Sequence, residues 1–293
     1  MNNAYFERNL GFMSNSEQDR LHDSIVAIAG AGGDGGMLAV HLARMGVGEI
    51  RLADPDSFEI ENINRQAVCN QDTIGMNKAV AVSGYIKSIN TDIKTIFYDE
   101  GIKQDNVSEF ILGADLVIDE TEFTKHALAV MLARSARDQH IPNMTVFNIG
   151  FGTVATTYLP DGPKLENRLG FKASQDIEEI KSSAVSIDRW LPYLPAYGDL
   201  DVLGKVAKAE KSAPSIAPGV ALAASVGATQ AFLNLVKGID NHRPNPVYAP
   251  KAIIMDSMSI KSKVVSYNRI SYYKHLSRVV LRNLLNMNPK TSF

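Results

Sequence analysis

The chain has 293 residues, 45% hydrophobic and 21% charged, with 30 basic and 32 acidic residues and a formal charge of -2. This length and balance predict a soluble globular protein with a substantial core, and they exclude recognition of nucleic acid or of a membrane by overall charge. One cysteine, Cys69, excludes an internal disulfide and a cysteine-based zinc site and suits a reducing compartment, the cytoplasm.

The opening stretch, MNNAYFERNLGFMSNSEQDR, is polar, with no apolar run after a basic flank, so it reads as an N-terminal arm and not as a secretory signal. Runs rich in Val and Ile then alternate with helical patterns. The predicted strands are IVAIAG from Ile25, EIRLAD from Glu49, DIKTIFYDE from Asp92, DLVIDE from Asp115 and VFNIG from Val146. Between the early ones, GMLAVHLARMG and MNKAVAVSGYIKSIN space apolar residues at three and four, as amphipathic helices do. The alternation predicts a mostly parallel sheet with crossover helices.

After about Leu159, prolines and glycines scatter among charges and aromatics as far as Ser215, predicting a long irregular crossover with one or two helices. The stretch Ile216 to Val236 is near the length of a membrane span but carries Ser225, Thr229, Gln230 and Asn234. Its Gly219, Ala223 and Gly227 recur every four residues and put small side chains on one helix face, so a buried core or interface helix is expected. Two further strands, KAIIMDS and KSKVVSY, follow. From Ser257 onward there are seven basic residues and no acidic one, and YYKHLSRVVLRNLL reads as a surface helix packed by its apolar stripe, with an anchor to an anionic surface as the alternative.

Chemistry concentrates near the first two strands. Gly30, Gly32, Gly33 and Gly35 follow the first strand and open the first helix, where absent side chains let backbone N–H groups approach phosphate oxygens and the helix dipole favours negative charge. Asp54 ends the second strand, placed to accept hydrogen bonds from ribose hydroxyls. That pattern alone suits NAD, and a plain strand-to-helix turn would also produce it. The following stretch, DPDSFEIENINRQAVCNQDTIGMNKA, adds Asn62, Arg65, Gln66 and Lys78. Two cations beside a phosphate site suit a triphosphate, whose charge they neutralise as it builds on a leaving pyrophosphate.

At these residues the chain resembles the ubiquitin-activating-enzyme-like adenylyltransferases of the ThiF, MoeB and HesA type. RNLGF, GAGGDGG, DPDSFEIENINRQ, IGMNKA and DLVIDETEF stand in the family's order and spacing over roughly residues 5 to 125, and the small-residue helix extends the match past the crossover. The resemblance implies an α/β fold with a Rossmann-like mixed, mostly parallel sheet and helices on both faces. It implies one domain over 1–293: an arm to residue 20, a nucleotide-binding half over 21–150, a crossover over 160–215 and a C-terminal half over 216–293 with a basic tail. It also implies ATP and magnesium as cofactors and a homodimer in which Arg8 reaches across the interface to the partner's ATP phosphates. Asp54 is expected on the ribose, Asn62, Arg65 and Gln66 along the nucleotide with Arg65 on the phosphates, and Lys78 on the same phosphates. For each of these the plain alternative is a local one: a solvated arm arginine, a charged loop bonding to itself, a surface lysine.

The family's magnesium-binding acid falls at Glu122, which keeps a hard oxygen ligand one methylene longer than the usual aspartate, and Phe123 replaces a polar residue. The implied reaction is adenylation of a substrate carboxylate, borne by a ubiquitin-like protein, a peptide or a small molecule, with release of pyrophosphate. No cysteine lies between Leu159 and Ser215, and Cys69 reads as a packing residue, so a covalent enzyme thioester is not expected. The six histidines show no ligand spacing. Trp190, Tyr193 and Tyr197 are expected either to meet the acyl substrate or to form a local packing cluster. Two rival readings stand beside the enzyme: an NAD-dependent oxidoreductase, which leaves Arg65 and Lys78 unexplained, and a non-catalytic member acting as the binding half of a heterodimer. No nucleic acid or membrane partner is expected.

Overall fold

The computed structural model describes residues 3–207, 210–240 and 242–267, together with 273, 276, 277, 280 and 281. The element order is α1 (Asn15–His22), β1 (Ile25–Ala29), α2 (Gly33–Met45), β2 (Glu49–Ala53), α3 (Lys78–Ile89), β3 (Lys94–Tyr98), α4 (Val107–Ile111), β4 (Leu116–Asp119) and α5 (His126–Asp138). There follow β5 (Asn143–Ile149), β6 (Gly152–Tyr158), four short helices α6 (Leu165–Leu169), α7 (Ile177–Lys181), α8 (Ile187–Trp190) and α9 (Leu200–Ala207), then α10 (Ala217–Leu235), β7 (Lys251–Asp256) and β8 (Lys261–Ser266). The crossover thus carries four short helices where one or two were expected. None reaches ten residues, so no stretch there shows enough turns of apolar periodicity to stand out in sequence.

Eight strands form one sheet in the order β3-β2-β1-β4-β5-β6-β7-β8. The first five pair in parallel and the last three join by antiparallel pairing, which agrees with the mixed, mostly parallel sheet expected. The strand period of two divides the core: Val26 and Ile28 of β1 belong to the cluster under α2, α3 and α10, whereas Ala27 and Ala29 face the cluster under α4 and α5. Helices on both faces explain why β1 and β4 read as apolar runs, whereas β2 sets Ile50 and Leu52 beside Glu49 and Arg51, which are buried as an ion pair at 2.7 Å.

The strand β6 escaped the sequence reading. It is buried along all seven residues, and its Gly and Thr content, GTVATTY, shows neither an alternation nor a strong apolar run. It is joined to β5 through Gly150, whose φ of +60° suits glycine, and Phe151. The stripe on α10 does what its spacing predicted. A side chain at Gly219 would strike the Gly150 carbonyl, and one at Gly227 would strike Leu38 of α2, so both glycines let α10 lie close on the sheet and on α2. The helix is a core element, and among the described residues no helix is long and apolar enough to cross a membrane. Most of the expected basic helix near the C-terminus lies outside the described residues.

Candidate active site

The strand order reverses at β1, with β2 on one side and β4 on the other, and a crevice at the carboxyl ends of such strands is where α/β sheets bind ligands. The glycine loop crosses that crevice. Gly30, at φ +103°, donates its N–H to the Ala53 carbonyl at 2.8 Å, and a β-carbon there would collide with the backbone carbonyl of Glu120. At Gly35 a β-carbon would collide with the Gly30 carbonyl and touch the Glu120 side chain. Gly33 has Val220 against it at 3.3 Å. Gly32 is different: the nearest neighbour of a β-carbon there would be the Gln66 carboxamide at 3.7 Å, so no contact within the protein demands glycine.

Asp54 sits buried beneath the loop, where Oδ2 accepts from Ala31 N–H at 2.7 Å and Oδ1 from Asp56 N–H at 2.9 Å. Burial raises its carboxyl above the ordinary range, against these hydrogen bonds and the charge of Lys78. The segment after β2 returns to its own start, because Asn77, the N-cap of α3, donates Nδ2 to the Asp54 carbonyl at 2.8 Å. Lys78 then opens α3, with a largely covered side chain whose Nζ lies 3.3 Å from Asp56 Oδ2.

Gln66 is 5% exposed, faces Gly32, and its Oε1 has no hydrogen-bond partner. A buried carboxamide oxygen left without a donor is costly unless something else supplies one. Arg65 lies at the loop's edge, its Cγ 3.9 Å from the β-carbon position of Gly33, and its charge acts on Asp34 in the first turn of α2. One edge of the guanidinium is held, Nη1 donating to the Glu61 carbonyl at 3.2 Å and to Asn64 Oδ1 at 2.9 Å. Asn62 is buried and its Oδ1 accepts from Glu59 N–H at 3.1 Å, so its carboxamide builds the turn that carries Arg65 and Gln66.

Arg8 does not join this group within one chain. It is exposed in a short turn whose neighbour Asn9 bonds Gln18 Oε1 at 3.0 Å, and Gln18 in turn bonds the Met45 carbonyl at the far end of α2. Thirteen helical residues separate that end from the glycine loop, about 18 Å at 1.5 Å per residue. Glu122 stands exposed just past β4. Phe123 packs against the apolar cluster of α5, α6 and Trp190, which gives the unusual aromatic a structural reason. Among the described residues no group of three His, Cys, Asp or Glu side chains stands ready to hold a metal.

The crossover aromatics pack in more than one place, Trp190 in the cluster of α5 and α6 and Tyr193 in that of β6 and β7. Trp190 and Tyr193 are buried, and Asp256 at the end of β7 accepts from Tyr193 OH at 2.5 Å and from Tyr197 OH at 3.0 Å. Cys69 is buried with its thiol pushed up chiefly by burial, as a packing residue would be.

The sequence reading missed two acids. Asp34 accepts from the backbone N–H and Nδ2 of Asn148, and Glu120 packs under Gly35 with a shielded Oε1 that lacks a partner. Burial, with Asp34 and Asp119 adding, drives Glu120 well above the usual carboxylate range, while burial raises Asp34 and Asp119 from 3.8 to about 6. A charged residue at the end of an otherwise apolar strand was the available signal for Glu120. An acid held up in the folded state binds its proton more tightly there than in the unfolded chain. Its contribution to stability is therefore full below about pH 4 and lost as pH rises to about 6. Melts of Asp34→Asn across that window are expected to fall less steeply with pH than those of the wild type, and equal slopes would contradict the assignment.

A glycine loop over the switch point, a buried acid just past β2, Arg65 at the loop's edge and Lys78 with its charge acting on Asp54 stand together at the carboxyl end of this doubly wound α/β sheet. A family model described as the ThiF family matches residues 6–273, and the chain belongs to that family. It is 33% identical over 146 residues to the SAMP-activating enzyme E1 of Haloferax volcanii, covering 50% of this chain and 53% of that protein. It is 36% identical over 107 residues to the adenylyltransferase and sulfurtransferase MOCS3 of Dictyostelium discoideum, covering 36% of this chain and 25% of that protein. The chain therefore spans about half the length of the first relative and a quarter of the second. Among solved structures, E. coli MccB superposes with a TM-score of 0.67 at 20% identity over 92% of this chain and 71% of that one, a likeness of fold.

Proposed function

We propose that this chain is an ATP-dependent adenylyltransferase that activates a substrate carboxylate. A carboxylate oxygen attacks the α-phosphorus of ATP, the bond from that phosphorus to the β-phosphate bridge breaks, and pyrophosphate leaves an acyl adenylate behind. The observation that carries this reading is the convergence on the glycine loop of Asp54, Arg65 and the Gln66 carboxamide with its unpartnered Oε1, with Lys78 acting by its charge on Asp54 from beside Asp56. A relative named as an adenylyltransferase and sulfurtransferase, another named as an activating enzyme, and a fold shared with an E. coli MccB structure that holds ATP support it.

In this reading Asp54 receives the ribose, the loop N–H groups and Gln66 line the phosphates, and Arg65 and Lys78 neutralise the charge that grows on pyrophosphate. Positioning and fixed charge carry the barrier, since phosphoryl chemistry asks little covalent work of the protein. Magnesium fits the donor set: the ion takes one or two carboxylates plus substrate phosphates, and Glu122 offers an exposed hard oxygen at the end of β4. When bound it would screen the triphosphate. Arg8, tied to the far end of α2, meets the phosphates only from a second copy, which makes the working unit a homodimer. The chain is read as one cytoplasmic adenylating domain. Its acceptor is a carboxylate on a ubiquitin-like protein or a peptide, in line with the SAMP-activating relative and the MccB structure with an MccA peptide. The reading is of adenylation without an enzyme thioester, in keeping with the burial of Cys69.

Thermal melts with magnesium ATP and, separately, NAD test the reading, because a ligand that binds only the native state raises its stability. A rise with ATP alone is expected. A rise with NAD alone would hand the loop to the oxidoreductase reading, and no rise with either would make the chain a non-catalytic partner.

A further inference from the structure

A continuous run of hydrogen bonds leads from the first turn of α2 through the end of the crossover to Arg65, whose charge in turn acts on Asp34. Asp34 accepts from Asn148 N–H at 2.8 Å and from Asn148 Nδ2 at 2.9 Å. Asn148 Oδ1 accepts from Ser215 Oγ at 3.0 Å, the Ser215 carbonyl accepts from Asn64 Nδ2 at 3.1 Å, and Asn64 Oδ1 accepts from Arg65 Nη1 at 2.9 Å. Four segments that are remote in sequence meet here: the first turn of α2, the end of β5, the end of the crossover two residues before α10 and the loop after β2. Each asparagine uses both ends of its carboxamide: turning Asn148 over would set its oxygen against the Asp34 carboxylate, and turning Asn64 over would lose both of its bonds. Arg65 is gripped by Nη1, while its Nε and Nη2 have no protein partner among the described residues. A guanidinium held by one edge presents the other to phosphate oxygens.

We propose that Ser215 is a positioning residue for the phosphate site. By tying the end of the crossover to Asn148 and Asp34, it orients Asn64 and thereby aims Arg65 at the triphosphate. The assignment rests on the reading that this site binds ATP. It makes the crossover part of the nucleotide site without any crossover side chain touching the nucleotide.

Isothermal titration with magnesium ATP and with adenosine tests it. Ser215→Ala is expected to weaken ATP about 3- to 10-fold, the scale of one hydrogen bond, and to leave adenosine unchanged, because only the phosphate contacts depend on Arg65. In an Arg65→Ala background the same substitution is expected to add nothing. Equal weakening of both ligands, additive losses, or unchanged ATP affinity in a wild type that binds ATP would each overturn the proposal. Failure of the wild type to bind ATP would instead overturn the nucleotide reading and this assignment with it. Asn148→Asp sets a second carboxylate against Asp34 and is expected to weaken ATP further. The pair Asp34→Asn with Asn148→Asp exchanges donor and acceptor at constant charge and is expected to restore ATP affinity, and failure of that rescue would count against the network.

Discussion

Alanine at Arg65 or at Lys78 is expected to lower ATP-dependent pyrophosphate exchange by about 10²- to 10³-fold, the usual cost of removing one preorganised group that meets developing charge. Neither side chain holds the fold together: Arg65 lies at the rim of its loop, and Lys78 contacts only Asp56 through its ammonium. Both variants should therefore melt within a degree or two of the wild type without ligand, a change of about 0.5 kcal/mol. The ligand-induced rise should differ. ATP at about 100 times its Kd contributes about 2.7 kcal/mol, or roughly 5 °C for a chain of this size, and this gain should vanish in each variant. Exchange at wild-type rates in both would remove the cations from the mechanism.

The glycines of the loop are expected to separate into two kinds. Gly30→Ala and Gly35→Ala each drive a methyl into a carbonyl oxygen, and at Gly30 the left-handed backbone adds strain. A loss of about 4 kcal/mol, near the top of what single substitutions do, and a fall of roughly 10 °C in Tm are expected. Gly32→Ala meets nothing closer than the Gln66 carboxamide, so its Tm should stay within about 2 °C while ATP binding is lost to the methyl standing in the phosphate path. Equal destabilisation at positions 32 and 35 would contradict the division. The four glycines look alike in sequence, and their different duties follow from what packs against each.

The parallel half of the fold was legible because its central strands are buried, with β1 and β4 reading as apolar runs, and because Asn77 and Gly46 punctuate the helices between them. The residues proposed for the nucleotide are those that the spacing around Asp54 singles out, and the fold brings Gln66 and Arg65 of that set to the glycine loop. What stayed hidden depends on long-range contacts. Nothing local announces that β6 is a strand, that Asn62 spends its oxygen on Glu59, or that Asp256 ties down Tyr193 and Tyr197 from about sixty residues away. The crossover helices are too short to carry a period, and their positions are set by Trp190, Tyr193 and Leu194 finding apolar partners elsewhere. Arg8 shows the reverse case: its spacing matches a nucleotide-binding motif, yet one copy of the fold leaves it at the far end of α2.

The single tryptophan of the chain, Trp190, ends α8 within the crossover, 6% exposed and enclosed by Leu165, Leu169, Phe171 and their neighbours. An indole in such dry surroundings emits at shorter wavelength than one in water, and no second indole blurs the signal. The molecule therefore carries its own optical gauge of how tightly the crossover is seated, readable in real time and without a label while nucleotide or acceptor is added.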